Sequence, residues 1–323
     1  MKDFNGKIAV ITGGGTGMGR ELARQLTAEG CNVAMCDVSA DTMAATKALC
    51  AADAPQGTKV AGFVADVGDE AQVGRFRDEI ARAFDTDRIH LLFNNAGIGG
   101  GGSFVAGERA EWERTFNVCW GGVYACTRVF LPMLVAASEA HIVNTSSVNG
   151  FWGSLGPGIP HTAYVAAKFA VKGFSEALMT DLAVNAPHVK CSVVMPGHIG
   201  TEIVSNSRKV LTGDASDSLS PRQIALTRAR LRAMGMEIDA VSDAEINAMA
   251  AEQARRFRDE APTTAARAAT VILDGVRTDR WRILVGHDAE VIDTLVRADP
   301  EHAYEPGFFA HMATEAGWRL GQS

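Results

Sequence analysis

Short runs of consecutive apolar residues alternate along the chain with longer stretches in which apolar positions recur every three or four residues. The short runs predict strands over 7–12, 32–37, 58–65, 89–93, 140–146, 189–195 and 281–285. The longer stretches predict helices over 17–29, 40–52, 69–84, 111–137, 163–185 and 264–277. Runs such as "HLLFN" (90–94) and "CSVVM" (191–195) are apolar almost throughout, as strands covered on both faces are. Strand and helix in regular alternation predict an α/β protein built on a doubly wound parallel sheet, with helices on both faces.

The segment 202–262 breaks this alternation, with signals for two helices and none for a strand. Ser220 and Pro221 suit an N-cap and first helical position, and Gly235 suits a stop. Ser242 with Glu245 has the spacing of a capping box; after it Ile246, Met249, Ala250, Gln253 and Phe257 keep nearly one face until Pro262. Two helices bury too little surface to stand alone. Residues 1–323 are therefore read as one domain, with 202–262 as a helical insertion and 298–323 as a C-terminal tail.

The first strand runs into "TGGGTGMG" (12–19), and Met18, Leu22 and Leu26 then follow at helical spacing up to Gly30. Glycines at a strand-to-helix turn let a ligand approach the backbone, and the free N–H groups of the helix start favour a phosphate. The second strand, "NVAMCD", ends at Asp37, where a carboxylate can accept hydrogen bonds from a ribose diol. Such turns also occur for packing alone, but strand, turn, helix, strand and acid in this order point to a Rossmann-type dinucleotide site. Gly99–Gly102 follow the fourth strand and are expected to form a mobile loop at the ligand-binding edge, or a plain turn.

Charge and composition narrow the partners. The formal net charge is −7 and basic residues do not cluster, which argues against nucleic acid. Hydrophobic residues make up 47% of the chain, but no run approaches the roughly 20 apolar residues that span a bilayer. "MKDFNGK" at the start lacks the apolar stretch of a signal peptide. Six cysteines, at 31, 36, 50, 119, 126 and 191, are scattered without metal-ligand spacing. A cytoplasmic protein with buried free thiols, no metal and no membrane partner is the expectation.

Chemistry enters with "IVNTSSVNG" (142–150) and "HTAYVAAKFAVKGF" (161–174). Tyr164 and Lys168 are four residues apart and share one helix face. A neighbouring ammonium favours the phenolate of a tyrosine, which otherwise titrates near 10 and is a poor base at neutrality. The pair alone is weak evidence, because a packed tyrosine beside a solvated lysine is common.

Taken with these motifs, the chain resembles the short-chain dehydrogenase/reductase family, in its compact single-domain branch. The resemblance runs over residues 5 to about 201 and returns weakly over 262–297. It rests on "TGGGTGMG", Asp37, "ADV" (65–67), "NNAG" (94–97), Asn117 in "FNVCWGG", "TSSVNG", "YVAAK" and "PGHIGT" (196–201), in the family's order. It implies Tyr164 as acid/base on the substrate oxygen, Lys168 on the nicotinamide ribose, Ser147 on the substrate oxygen, and Asn117 holding a water in the proton path to Lys168. It implies a dinucleotide held by Gly13, Thr16, Gly17, Met18 and Gly19 at the turn. Asp37 would meet the adenosine ribose and Asp66 and Val67 the adenine. Asn95 and Gly97 would line the ribose, and Ile199 and Thr201 would hold the carboxamide. The protein would orient while the cofactor carries the hydride.

Two departures from the family pattern stand out. Ser147 precedes Tyr164 by 17 residues, more than usual, which keeps Ser146 open as an alternative; "SVNG" aligns Ser147 with the family's serine. The insertion and the tail lengthen the chain where the family builds a tetramer contact. The helices 111–137 and 163–185 resemble the family's paired dimer interface, so a homodimer is expected, with a homotetramer as the alternative.

The leading expectation is an NAD-dependent oxidoreductase interconverting a secondary alcohol and a ketone. Asp37 followed by Val38 disfavours a 2′-phosphate, and Arg20 lies past the turn. The insertion, starting directly after Thr201, is expected to form a lid over a bulky apolar substrate, or else to pack on the body or a second subunit. A catalytically silent dinucleotide sensor would be expected to lose Tyr164 or Lys168. An epimerase or dehydratase would favour another glycine spacing. His161 and His198 flank the site in sequence, where either could touch substrate, although a loop histidine is more often solvated, and Phe151 and Trp152 could wall a pocket or simply pack.

Overall fold

A computed structural model of the chain describes residues 1–214, 218–233, 236–318 and 320. The expected strands form one parallel sheet from β1 (Ile8–Thr12), β2 (Asn32–Asp37), β3 (Val60–Val64), β4 (Leu91–Asn94), β5 (Ala140–Thr145), β6 (Val189–Pro196) and a seventh at Arg282–Val285. Between them run α1 (Gly17–Ala28), α2 (Ala40–Asp53), α3 (Glu70–Phe84), α4 (Arg109–Phe116), α5 (Gly122–Val135) and α6 (Thr162–Asn185). Beyond β6 follow β7 (Ile199–Gly200), α7 (Ile203–Thr212), α8 (Pro221–Ala233), α9 (Asp243–Asp259), β8 (Thr263–Thr264) and α10 (Ala265–Arg277). The seventh sheet strand, β9, then leads to α11 (His287–Ala298) and α12 (Pro306–Glu315).

The strand order is β3-β2-β1-β4-β5-β6-β9, every pairing parallel. Order reverses between β1 and β4, and a crevice opens at the carboxyl ends of these two strands. Alternate residues serve opposite faces. Val10, Ala34, Leu92 and Ile142 join one core with Phe76 of α3 and Phe130 of α5. Ala9, Ile11, Val33, Leu91 and Phe93 join the other with Leu22 and Leu26 of α1 and Ile272 of α10. A one-residue slip of any strand would turn these side chains to the wrong face.

The long helix expected over 111–137 is interrupted by a π-helical turn, Asn117–Gly121. The continuous helical segment 109–135 is long and apolar enough, by length and composition, to cross a membrane. That corrects the expectation that no such run exists, although 56% of its apolar window is buried inside the fold, where a core helix would be. All six thiols are free and buried.

The insertion is closed at its base. β7 and β8 pair in parallel, Ile199 against Thr263 and Gly200 against Thr264, so the chain leaves and returns at one point. It contains α7, which the sequence pattern did not predict. The capping box at Ser242 and Glu245 is formed. Helices α8 and α9 share a small core of Ile224, Ile238 and Ile246. Gly235, expected to end α8, and Met234 lie outside the described residues.

The tail folds back on its own chain. Trp152, Ala289, Ile292, Ala303, Met312 and Trp318 form a separate buried cluster. The Trp152 indole donates to the Ala303 carbonyl at 2.9 Å, and the Tyr304 hydroxyl accepts the Gly153 N–H at 3.0 Å. Phe151 and Trp152 thus pack, one partly buried and the other fully, against C-terminal elements.

Candidate active site

Glycine geometry shapes the first wall. Gly13 and Gly17 have φ of +67° and +53°, and a Cβ on Gly19 would collide with the Gly13 carbonyl. Thr16 occupies the N-cap of α1 without capping it, and the first turn carries no acid. The N-terminal N–H groups of α1 are therefore left without a side-chain acceptor, as a bound phosphate requires. The cleft beside this turn has a volume of about 270 Å³. Gly13, Thr16, Gly17, Met18, Asp37, Asp66, Val67, Asn95, Gly97 and Thr201 all line it. Asn95 Oδ1 is a buried acceptor with no partner. These features fit a dinucleotide.

Asp37 accepts the Gly15 N–H on Oδ2 at 3.0 Å and the Ser39 N–H on Oδ1 at 3.2 Å. Arg20 is turned away, donating to the Gly15 carbonyl at 2.7 Å and to Thr46. Asp66 is paired with Arg114 at 2.5 Å. The Thr201 methyl packs next to Gly17, whereas the Ile199 side chain is buried in the sheet core and does not line the cleft. A role for Ile199 on the carboxamide is thereby restricted to its backbone.

Tyr164, Ser147 and Lys168 come together beyond Gly97. Lys168 is buried, its Nζ donating to the Thr145 carbonyl at 2.8 Å and lying 5.3 Å from the centre of the Tyr164 ring. Burial lowers the Lys168 pKa. The two candidate serines are separated by the backbone. Ser146 Oγ donates to the Lys168 carbonyl at 2.7 Å and is structural, while Ser147 Oγ accepts the Asn149 N–H at 3.1 Å and acts on the Tyr164 hydroxyl.

The expected depression of the tyrosine pKa is not found. Burial pushes the Tyr164 hydroxyl well above its ordinary value, Cys119 adds to this, and the Ser147 hydrogen bond offsets part. The physical reason is that the Lys168 ammonium sits over the ring and is itself buried, so desolvation dominates.

Asn117 is not where the resemblance placed it. The π-helical turn leaves its side chain exposed, with Nδ2 donating to the Gly68 carbonyl at 2.7 Å. The side chain that this helix turns toward Lys168 and Tyr164 is Cys119, which acts electrostatically on both. Cys119 is fully buried, with Sγ donating to the Ile98 carbonyl at 3.1 Å and accepting the Ile98 N–H at 3.5 Å. An extra residue per turn rotates every following side chain, and apolar spacing does not reveal it.

Both histidines are packed rather than solvated. His161 stacks on Tyr164, and burial lowers its pKa to about 4. His198 is buried between elements, its N–H donating to Asp288 Oδ2 at 2.6 Å and its Nε2 lying 2.7 Å from the Phe257 carbonyl. The glycine run is pinned as well. The Gly99 N–H donates to Ser207, the Gly101 N–H donates to Glu111, and the Gly101 and Gly102 carbonyls accept the backbone N–H groups of Ala163 and Thr162.

The family model described as short chain dehydrogenase matches residues 7–212. The chain is 34% identical to SadH of Mycobacterium tuberculosis over 92% of both chains. It is 34% identical to the levodione reductase of Leifsonia aquatica over 69% of this chain and 78% of the relative. Among solved structures, a short chain dehydrogenase/reductase from Burkholderia phymatum in complex with NAD is 30% identical, with a TM-score of 0.75 over 95% of this chain and 98% of its own. A metagenomic short-chain oxidoreductase in complex with NADP is 27% identical, with a TM-score of 0.51 over 60% and 83%. The glycine turn, the parallel sheet and the clustering of Ser147, Tyr164 and Lys168 agree with these matches: the chain belongs to the short-chain dehydrogenase/reductase family of oxidoreductases.

Proposed function

We propose that the protein is an NAD-dependent oxidoreductase that interconverts a secondary alcohol and a ketone, with Tyr164 as the acid/base. The observation that carries this reading is the site that gathers Ser147, Tyr164 and Lys168, with Lys168 Nζ 5.3 Å from the centre of the Tyr164 ring and tied to the Thr145 carbonyl. Bound NAD would supply the hydride acceptor, held by the glycine turn, Asp37, Asp66, Val67, Asn95, Gly97, Thr201 and the Ile199 backbone. The remaining chemistry is the protein's. Ser147 positions the substrate oxygen, and Tyr164 gives or takes the proton there. Burial keeps Tyr164 protonated, ready to donate to a forming alkoxide. Support for NAD over NADP comes from Asp37, from Val38 beside it, and from Arg20 being held by Gly15 and Thr46.

The insertion is assigned as a lid on a bulky, largely apolar substrate. Its apolar faces supply Leu226, Met236 and Met249, all exposed. A homodimer is supported by exposed Tyr124 and Val135 on α5 and exposed Phe169 and Val184 on α6. The tail's engagement with Trp152 argues for a dimer rather than the tetramer. Free buried thiols are in keeping with a cytoplasmic setting. Absorbance of the reduced nicotinamide, followed across linear, cyclic, steroid-like and aryl alcohols with either cofactor, tests the reading. Dinucleotide binding without turnover of any alcohol or ketone would leave the silent sensor as the better account.

A further inference from the structure

The segment after β6 brings the Ile199 backbone and Thr201 toward the cleft, and a buried carboxylate holds it there. Asp288, in the first turn of α11, accepts the His198 N–H on Oδ2 at 2.6 Å and the Ala289 N–H on Oδ1 at 3.0 Å. Two glycines make room for it. A Cβ on Gly197 or on Gly286 would lie 2.3 Å from an Asp288 oxygen, closer than a Cβ tolerates. The Gly197 N–H donates to the Val285 carbonyl at 3.0 Å, so the same turn is also tied to β9.

The His198 side chain reaches the other way. Its Nε2 lies 2.7 Å from the Phe257 carbonyl, and because a carbonyl only accepts, Nε2 carries the proton and donates. The imidazole also packs on the Phe257 ring, with centroids 4.4 Å apart. Phe257 belongs to the last turn of α9, and the Arg258 carbonyl beside it comes so near Gly200 that a Cβ there would meet it at 2.4 Å. His198 thus joins three distant segments: the chain after β6, the returning end of the insertion and the start of α11.

Burying a carboxylate costs free energy unless its lone pairs are used, and burial raises the Asp288 pKa against the pull of the two backbone N–H groups. The charge is kept on a backbone N–H one residue before Ile199, where it fixes the direction of the peptides that follow. We propose that Asp288 and His198 are positioning residues for the nicotinamide end of the cofactor: Asp288 fixes the His198 peptide and His198 ties it to α9, so that the Ile199 backbone and Thr201 are presented to the carboxamide. This rests on the dinucleotide reading and adds to it that α11 and the far end of the insertion set the nicotinamide site.

Calorimetric titration of the whole protein with NADH and with ADP-ribose, which lacks the nicotinamide, tests this. Asp288→Asn keeps the shape but not the charge, and His198→Phe keeps the ring packing but not the donor to Phe257. Each should weaken NADH about tenfold, as loss of one buried or charge-assisted hydrogen bond does, and leave ADP-ribose within about twofold. His198→Gln, which can still donate to Phe257, should restore much of the NADH affinity lost in the Phe variant. A merely structural role would weaken both ligands alike, in step with Tm. Equal losses for the two ligands, or wild-type NADH affinity in both variants, overturns the proposal; should Asp288→Asn fail to fold, the two His198 variants decide. A wild-type protein that binds neither NADH nor ADP-ribose sinks the dinucleotide reading itself, and the positioning role with it.

Discussion

His161 stacks on Tyr164 with ring centroids 4.6 Å apart and planes inclined by 28°. Burial holds the imidazole neutral, with its pKa lowered to about 4, so His161 is a wall for the tyrosine rather than a second proton carrier. Proton transfer at this site therefore falls to Tyr164. Tyr164→Phe should lower kcat by about 10²–10⁴-fold with little change in dinucleotide affinity. Because the Tyr164 pKa is raised, alcohol oxidation should climb with pH well into the alkaline range, and ketone reduction should not. Turnover of the Phe variant in both directions checks the assignment; wild-type kcat would dismiss it.

Asn117 and Cys119 should separate cleanly. Asn117→Ala removes an exposed side chain that holds the Gly68 carbonyl, and kcat should stay within about twofold, as for other surface changes. Cys119→Ala removes the groups that hold both sides of the Ile98 peptide beside Lys168, and should lower kcat and shift its pH profile. Equal effects of the two substitutions would return the role to Asn117.

Cofactor choice should follow Asp37. A 2′-phosphate would face a carboxylate already held by two backbone N–H groups. Like charges at such range cost several kcal/mol, so kcat/KM should favour NAD over NADP by ~10²-fold or more. The double substitution Asp37→Ser with Val38→Arg should reverse much of that preference, and a wild-type preference for NADP would reveal a cation supplied from elsewhere.

Acid should weaken the fold through its buried imidazoles. His141 is buried in the sheet, its pKa lowered to about 4 by desolvation. Ser192 donates to the Arg280 carbonyl, so it accepts from His141 Nε2, and the imidazole's other nitrogen has no partner. Between pH 6.5 and 4 the unfolded chain takes up protons that the fold excludes, and stability falls as pH drops through that window. His141→Gln keeps the donor to Ser192 and should flatten part of the slope of Tm against pH. An unaltered slope would show that carboxylates carry the whole effect.

The lid can be tested without touching helix α7. Replacing 221–252 with a short Gly-Ser linker removes α8 and the first ten residues of α9 and spares α7, β7 and β8. Dinucleotide affinity should be retained while KM for a bulky substrate rises sharply. Normal turnover of a large alcohol by the shortened enzyme would place the apolar faces of α8 and α9 elsewhere, on the body or on a second subunit.

Periodicity identified the sheet strands and their intervening helices because each buries a stripe or a face, and burial is written as spacing. The glycine turn and Asp37 were equally legible, since a phosphate and a ribose each require a residue type at a definite place in a strand–turn–helix unit. Helix α7 was not legible: its one buried position is the polar Ser207. Helices α11 and α12 were missed for a related reason. Their apolar residues answer to Trp152, which lies far away in sequence.

By itself, then, the sequence determined which residues could carry chemistry and which strand each follows, because residue type and local period are properties of the chain alone. Tertiary structure decided direction and company. The π-helical turn faced Cys119 rather than Asn117 toward Lys168, and the backbone chose Ser147 over Ser146 for Tyr164. Packing drew His161 onto the tyrosine ring and drew α7 across the cleft. The physical reason is common to all of these: a helical register, a desolvated pKa and a contact between distant segments each depend on what fills the space around a side chain, and that is not encoded at the residue's own position.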